Sequence, residues 1–215
     1  IMHKDNVPGD KTILPAVWQM KRKRDIRSRQ IKKYKARLNI DGSKMKKGVH
    51  YDQTYAPVAS WNSIRVLLAM VAARGWHTKQ IDYVLAFPQA PVEKEIYMRI
   101  PKGFEVANTD PQEYVLKLNR NVYGQKQAGR VWNKYLEDKL VNKLNFTQSK
   151  LDDCVFYRGS TMYVLYTDDS ILAGPSEKEI NDIIQDIKSI GLDITEEGDI
   201  QDFLRIHIER QMDGT

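Results

Sequence analysis

Tyr163-Val164-Leu165-Tyr166-Thr167-Asp168-Asp169-Ser170-Ile171-Leu172-Ala173-Gly174 sets two adjacent carboxylates between two apolar runs. Met162 to Tyr166 reads as one strand, Asp168-Asp169 as a turn and Ser170 to Ala173 as the returning strand. Immediately upstream, Cys154 to Tyr157 is a further short strand, with Arg158-Gly159-Ser160 as its turn. Downstream, Ser176-Glu177-Lys178-Glu179 is a capping box, serine to glutamate three residues on. It opens a helix whose apolar stripe is Ile180, Ile183, Ile184, Ile187 and Ile190, closed by Gly191. A strand over about Phe203 to Glu209 follows. Moving toward the N-terminus, Lys126 to Leu144 reads as a helix, with Gly129 weakening its first turn. Lys79 to Phe87 reads as a strand carrying a single acid, Asp82, with Phe87 held extended by Pro88. From residue 79 the order is therefore β-α-β-β-α-β with one extra short strand, an α+β arrangement of the split βαβ, ferredoxin-like type. Many unrelated functions use that superfold, so the acids must decide.

An ionised carboxylate among apolar strands is costly unless it is paired or coordinates a metal. In a ferredoxin-like sheet the first strand and the middle hairpin can be neighbours, so Asp82, Asp168 and Asp169 can meet at one edge. Their mutual repulsion would be removed by a divalent cation, and oxygen-only ligands favour Mg²⁺ or Mn²⁺. Two such ions about 4 Å apart would clamp the attacking and leaving oxygens of a phosphoryl transfer. On pattern alone another reading stays open: Asp168-Asp169 closes a hairpin and nothing more, and a lysine neutralises Asp82.

The chain has 215 residues and a net charge of +6, unevenly placed. Between Lys21 and Arg37 lie ten basic residues and one acid, Asp25. Such a run suits a phosphate-rich partner, a nuclear-import signal or a solvated surface. No apolar run approaches the roughly 20 residues of a membrane span. One cysteine, Cys154, excludes an internal disulfide, and four scattered histidines give no zinc-ligand spacing. Residues 1–30 show no period and read as a basic, flexible arm. The start at Ile1 suggests a segment cut from a longer polypeptide. Ile31 to Ile40 reads as a strand with Tyr34, Ala36 and Leu38 on one face and Lys35 and Arg37 on the other. Residues 42–60 are loop-like. Ser60 or Asn62 then caps a helix carrying Ile64, Leu67, Leu68 and Val71, which ends at Gly75. Residues 88–125 are irregular, with short strands near Glu95–Ile100 and Glu113–Leu118.

Tyr166-Thr167-Asp168-Asp169 resembles the Tyr-x-Asp-Asp box of reverse transcriptases, and it arrives in ordered company. Lys35-Ala36-Arg37-Leu38 comes first, then Tyr51 to Ala59, Ile64-Arg65, and Gln80-Ile81-Asp82 with Ala86-Phe87. Ile96-Tyr97-Met98 with Pro101-Lys102-Gly103-Phe104 follows, then Val122-Tyr123-Gly124 with Lys126-Gln127-Ala128 and Trp132. Asp152 with Cys154, then Phe203-Leu204, complete the set. Over about residues 34–210 the chain resembles the reverse transcriptase domain of copia-type LTR retrotransposon polyproteins.

The resemblance implies the fingers and palm of a right-hand polymerase, with the thumb absent. The arm would be 1–30, fingers 31–78 and 88–125, the palm strand with the first catalytic aspartate 79–87, the rest of the palm 126–210 and a tail 211–215. It implies RNA-directed DNA polymerase activity, a template with primer, dNTP substrates and two Mg²⁺ ions, with Mn²⁺ as a substitute. Asp82, Asp168 and Asp169 would be catalytic. Asp82, Asp168 and the backbone carbonyl of Tyr83 would bind metal. Lys35 and Arg37 would hold the triphosphate. Phe87 would be a steric gate against a 2′-hydroxyl, which requires the chain to bend at Phe87-Pro88. Tyr123, Gly124 and Lys126 would lie by the nascent base pair, and Phe203, Leu204 and Arg205 would form the primer grip. RNase H, integrase and protease parts of the same polyprotein would be partners. The setting would be cytoplasmic virus-like particles, with nuclear entry possible and no membrane partner. The sequence departs from the family at several points. Pro88-Gln89-Ala90 replaces the usual Leu-Asn-Gly, Gln125 an apolar residue, Gly129 a proline, Ser170 an apolar residue and Arg205 a glycine. Two alternatives stand beside the polymerase: an inactive reverse-transcriptase-like nucleic-acid binder or relic, and another palm-fold enzyme such as a nucleotide cyclase.

Overall fold

The computed structural model describes residues 1–25, 28–104, 110–204 and 206–209. In chain order it contains β1 (Met2–His3), β2 (Ile13–Leu14), β3 (Ala16–Arg24), β4 (Ile31–Ile40), α1 (Trp61–Arg74) and β5 (His77–Tyr83). Next come α2 (Ala86–Gln89), β6 (Tyr97–Arg99), β7 (Tyr114–Lys117), α3 (Ala128–Asp138), β8 (Thr147–Gln148), β9 (Val155–Arg158) and β10 (Thr161–Tyr166). The chain closes with β11 (Asp169–Gly174), α4 (Glu177–Ser189), β12 (Ile194–Gly198), β13 (Asp202–Phe203) and β14 (Ile206–His207). Two compact units emerge, residues 1–55 with 87–132, and residues 56–86 with 133–215.

In the first unit a four-stranded sheet of order β1-β7-β6-β2 accompanies a two-stranded ribbon, β3-β4. Leu14, Ile40, Met45, Ile96 and Met98 form its core, with Leu38, Tyr51 and Val122 packed against them. The expected flexible arm over residues 1–30 is not what the chain builds there. Those residues supply β1, β2 and nine-residue β3, which pairs with β4 from Ala16↔Ile40 to Arg24↔Ile31. The period was invisible because eight of the nine residues of β3 are exposed, and a strand with no buried face needs no apolar alternation.

In the second unit one six-stranded sheet runs β12-β5-β11-β10-β9-β8. The elements β5, α3, β10, β11, α4 and β12 follow the β-α-β-β-α-β order. Isoleucines 180, 183, 184 and 187 are the buried stripe of α4, and Ser176 accepts a hydrogen bond from the Glu179 N–H. Ser60 caps α1 through the Ser63 N–H, and Gly75 closes it in the left-handed region, φ 62°. Although the sequence division set residues 31–78 apart as fingers, α1 clusters with the second unit. Its Ile64, Leu67 and Val71 are buried, and the Ala59 N–H before it donates to the Leu165 carbonyl.

Four boundaries differ from expectation. Strand β5 stops at Tyr83 rather than Phe87, because Leu85 turns to φ 49° and Ala86–Gln89 then coils into a short helix. Phe87 is therefore helical, not extended. Pro88 is tolerated because N–H groups in a helix's first turn have no intrahelical acceptor. The hairpin turn is Thr167-Asp168, with Tyr166 and Asp169 paired across it and Thr167 at φ 61°. Helix α3 ends at Asp138 and passes into a π turn over Lys139–Lys143. The strand beside β5 is Ile194–Gly198, and the single strand expected over 203–209 is replaced by the small pair of Asp202–Phe203 with Ile206–His207. Strand β12 escaped the sequence reading because it is an exposed edge with the acidic run Glu196-Glu197.

Candidate functional site

Strands β5 and β11 are antiparallel neighbours, and their register sets Asp82 directly opposite Asp169. Opposed residues on paired strands share a face, so these two carboxyls are held side by side by the backbone. The Tyr83 N–H donates to the Asp168 carbonyl at 2.9 Å, which ties the hairpin turn to the end of β5. On the other side of Asp82, β12 pairs Thr195 with it and then bulges at Glu197. Glu197 accepts a hydrogen bond from the Gln80 amide at 3.0 Å. All three acids singled out in the sequence thus come to one corner of the sheet, and Glu197 joins them. Glu197 was missed because only the bulge, which no sequence period announces, sends it there.

The corner is electrostatically unfavourable as it stands. Burial pushes the Asp169 carboxyl up to about 6, and the charges of Asp168, Asp82 and Glu197 push in the same direction. Burial and the neighbouring charges both favour the protonated form of Asp169. The donor set is oxygen only, which suits a hard divalent cation. Among the described residues no three acid, histidine or cysteine side chains already stand as a closed ligand cluster. The fit to Mg²⁺ or Mn²⁺ therefore rests on donor chemistry and on the raised Asp169 proton affinity, both of which a cation would answer.

The first unit gathers most of the residues assigned to the nucleotide. The Arg37 guanidinium lies 4.6 Å from the Tyr123 ring centroid, and the Phe87 ring lies 5.1 Å from it on a 45° tilt. Gly124 has φ 88°, and a Cβ there would meet the Ile40 carbonyl oxygen at 2.2 Å. Gly42 is as tight against the Gly124 carbonyl oxygen, also 2.2 Å. Two backbones therefore cross where only glycine fits. Beside this crossing is an open cavity of about 390 Å³ lined by Gln19, Asn39, Asp41, Gly42, Tyr123 and Gly124. The Lys126 side chain runs past Gly42, and its ammonium lies 5.3 Å from the Tyr51 ring centroid. Lys35 is two residues along β4 from Arg37, on the ribbon face where Lys21 opposes Lys35 and Lys23 opposes Lys33. Of the expected primer-grip residues, Phe203 is buried, Leu204 takes φ 52° and Arg205 lies outside the described residues.

Residues 3–215 match the family described as Reverse transcriptase (RNA-dependent DNA polymerase). The chain is 33% identical over 211 residues to the retrovirus-related Pol polyprotein from transposon TNT 1-94 of Nicotiana tabacum, covering 95% of this chain and 15% of that protein. It is 34% identical over 188 residues to the Pol polyprotein from transposon RE2 of Arabidopsis thaliana, 86% of this chain and 13% of the relative. The RE1 polyprotein of the same plant is 31% identical over 211 residues, 96% and 14% of the two chains. The chain thus spans only about a seventh of these relatives' length. Among the described residues no helix is long and apolar enough to cross a membrane.

Proposed function

The chain belongs to the reverse transcriptase family, in the company of copia-type retrotransposon polyproteins, and on that premise we propose that it is an RNA-directed DNA polymerase domain using two divalent ions. The observation that carries this reading is the Asp82–Asp169 register pair with Asp168 tied to the same strand end. The sheet order β12-β5-β11-β10 with its β-α-β-β-α-β connection supports a ferredoxin-like palm. The remainder of the chain supplies fingers.

In this reading Asp82 and Asp168 hold the ions, with the Tyr83 carbonyl as a further oxygen donor and Asp169 a supporting charge. Bound Mg²⁺ or Mn²⁺ supplies Lewis acidity to the primer 3′-hydroxyl and charge neutralisation to the leaving pyrophosphate. Arg37, steadied by its stack on Tyr123, and Lys35 neutralise the triphosphate of the incoming dNTP. Arg37 presents a planar fork and Lys35 a point charge, so the first orients and the second attracts. Phe87 acts as the gate against the 2′-hydroxyl, braced by the Tyr123 ring. Gly124 leaves room where a side chain would intrude, Lys126 adds charge nearby, and Phe203, Leu204 and Arg205 grip the primer.

The basic face of the β3-β4 ribbon suits the same substrate. Like charges set directly opposite on paired strands repel, and a phosphate backbone relieves that repulsion. The partners are a primed template and the RNase H, integrase and protease parts of one polyprotein, working in cytoplasmic virus-like particles with subsequent nuclear entry.

Primer extension on poly(rA)/oligo(dT) with Mg²⁺ or Mn²⁺ tests the reading. Template-dependent dTTP incorporation is expected, and Asp168→Asn is expected to abolish it. Incorporation that survives the substitution unchanged would rule out Asp168 as a metal ligand. Turnover of a nucleotide without template would favour a cyclase-like enzyme.

A further inference from the structure

On the face of the sheet opposite Asp82 and Asp169 lies a chain of three buried hydroxyls. The Tyr83 and Tyr163 hydroxyl oxygens are 2.9 Å apart, and Tyr163 and Ser170 are 2.7 Å apart. Tyr83, Tyr163 and Ser170 are all almost wholly buried. They come from three adjacent strands, β5, β10 and β11, with β11 in the middle. Tyr83 and Tyr163 therefore reach toward each other across β11, and a small side chain at position 170 leaves space for their hydroxyls to meet above it. The Tyr163 ring is fixed from the side by edge contacts to Phe146 at 5.8 Å and Phe156 at 6.0 Å.

Each member adjoins the acidic corner by sequence. Tyr83 follows Asp82, Ser170 follows Asp169, and Tyr163 is on the strand that leads into the Thr167-Asp168 turn. Because strand neighbours point to opposite faces, a tie between the hydroxyls on one face fixes the carboxyls on the other. A one-residue slip of β5 would send Asp82 to the wrong face and break the Tyr83–Tyr163 bond, and a slip of β11 would do the same to Asp169 and the Tyr163–Ser170 bond. Buried hydroxyls without partners are costly, so the chain penalises any such slip.

We infer that the Tyr83–Tyr163–Ser170 hydroxyl chain is a positioning device that locks the Asp82 strand and the Asp168–Asp169 hairpin in one register. Its functional half rests on the metal-site reading above, and its structural half does not. None of the three touches substrate. They act through the backbone that carries the acids. Ser170, small and hydroxylated, is the third link.

The test compares the whole chain with Tyr163→Phe and with the triple variant Tyr83→Phe/Tyr163→Phe/Ser170→Ala. Three quantities are measured: thermal midpoint, amide exchange at Tyr83, whose N–H reports the bond to Asp168, and Mn²⁺ binding by electron paramagnetic resonance. Tyr163→Phe removes the hydroxyl that bonds both neighbours and should lower the midpoint, speed Tyr83 exchange about tenfold and weaken Mn²⁺ binding about tenfold, the scale of one net hydrogen bond. The triple variant removes all three polar groups together and should regain most of the midpoint while exchange stays fast and Mn²⁺ binding weak. Recovery of all three together would make the chain mere packing and overturn the inference, as would parental exchange and Mn²⁺ binding in Tyr163→Phe. Asp82→Asn separates the two layers. If it binds Mn²⁺ as the parent does, the metal reading has failed, and Tyr83 exchange alone then decides the positioning role, faster supporting it and unchanged refuting it.

Discussion

Asp169 is the residue on which the corner's repulsion is most visible. Its carboxyl is raised from 3.8 to about 6, first by burial and then by Asp168, Asp82 and Glu197. A carboxyl that binds its proton more tightly folded than unfolded stabilises the fold below its unfolded value, and that contribution is lost as pH rises through the folded one. The metal-free chain should therefore lose stability from this group between about pH 4 and pH 6. Urea midpoints at pH 5, 6 and 7 check it: Asp169→Asn should gain on the parent as pH rises, and a constant difference would mean the carboxyl ionises normally. Gln125 is the counterpart in the first unit. It is buried, and neither side-chain amide atom has a hydrogen-bond partner among the described residues. An apolar residue there removes an unmet desolvation cost, so Gln125→Leu should stabilise the chain by about 1–3 kcal/mol in urea denaturation.

At the scale of elements, Asp152 decides how α1 is held to the sheet. Its carboxylate accepts from the Ser60 N–H at 2.9 Å, the Ser63 hydroxyl at 2.5 Å and the Cys154 N–H at 3.0 Å. Burial works against its charge, but these donors outweigh burial and hold the carboxyl below its ordinary value. Its contribution is therefore present above about pH 3.8 and lost as pH falls below it. Asp152→Ala removes the charged acceptor shared by these three donors and should cost about 2–3 kcal/mol by urea midpoint, with Asp152→Asn milder. The same elements show what could be read from sequence. Helices α1, with its Ser60 cap, and α4, with its capping box, were legible because each buries one face at a regular period, and the hairpin because its strands, buried on both faces, are continuous apolar runs. Strand β3 was not, since its exposed residues carry no alternation. The register that opposes Asp82 to Asp169 was an inference from topology, because pairing between strands some 87 residues apart leaves no local trace. Glu197 and the helical Phe87 depended on a bulge and on the positive φ of Leu85, both set by tertiary context.

At the scale of the molecule, the acids belong to the second unit, and Arg37, Phe87, Tyr123 and Gly124 to the first. The carboxylate corner is central, because Asp82, Asp168 and Asp169 gather there with Glu197, and the Asp169 carboxyl is raised by burial and by those charges. Polymerase chemistry at that corner is proposed on the ground of family membership, and the basic ribbon of the first unit suits a phosphate-rich partner. The most direct test is a Mn²⁺ titration of the whole chain followed by electron paramagnetic resonance, alongside Asp82→Asn and Asp168→Asn. The expectation is saturable binding by the parent and its loss in both variants, since the two residues come from segments distant in sequence and are proposed to serve one site. Binding that persists unchanged in either variant would contradict it.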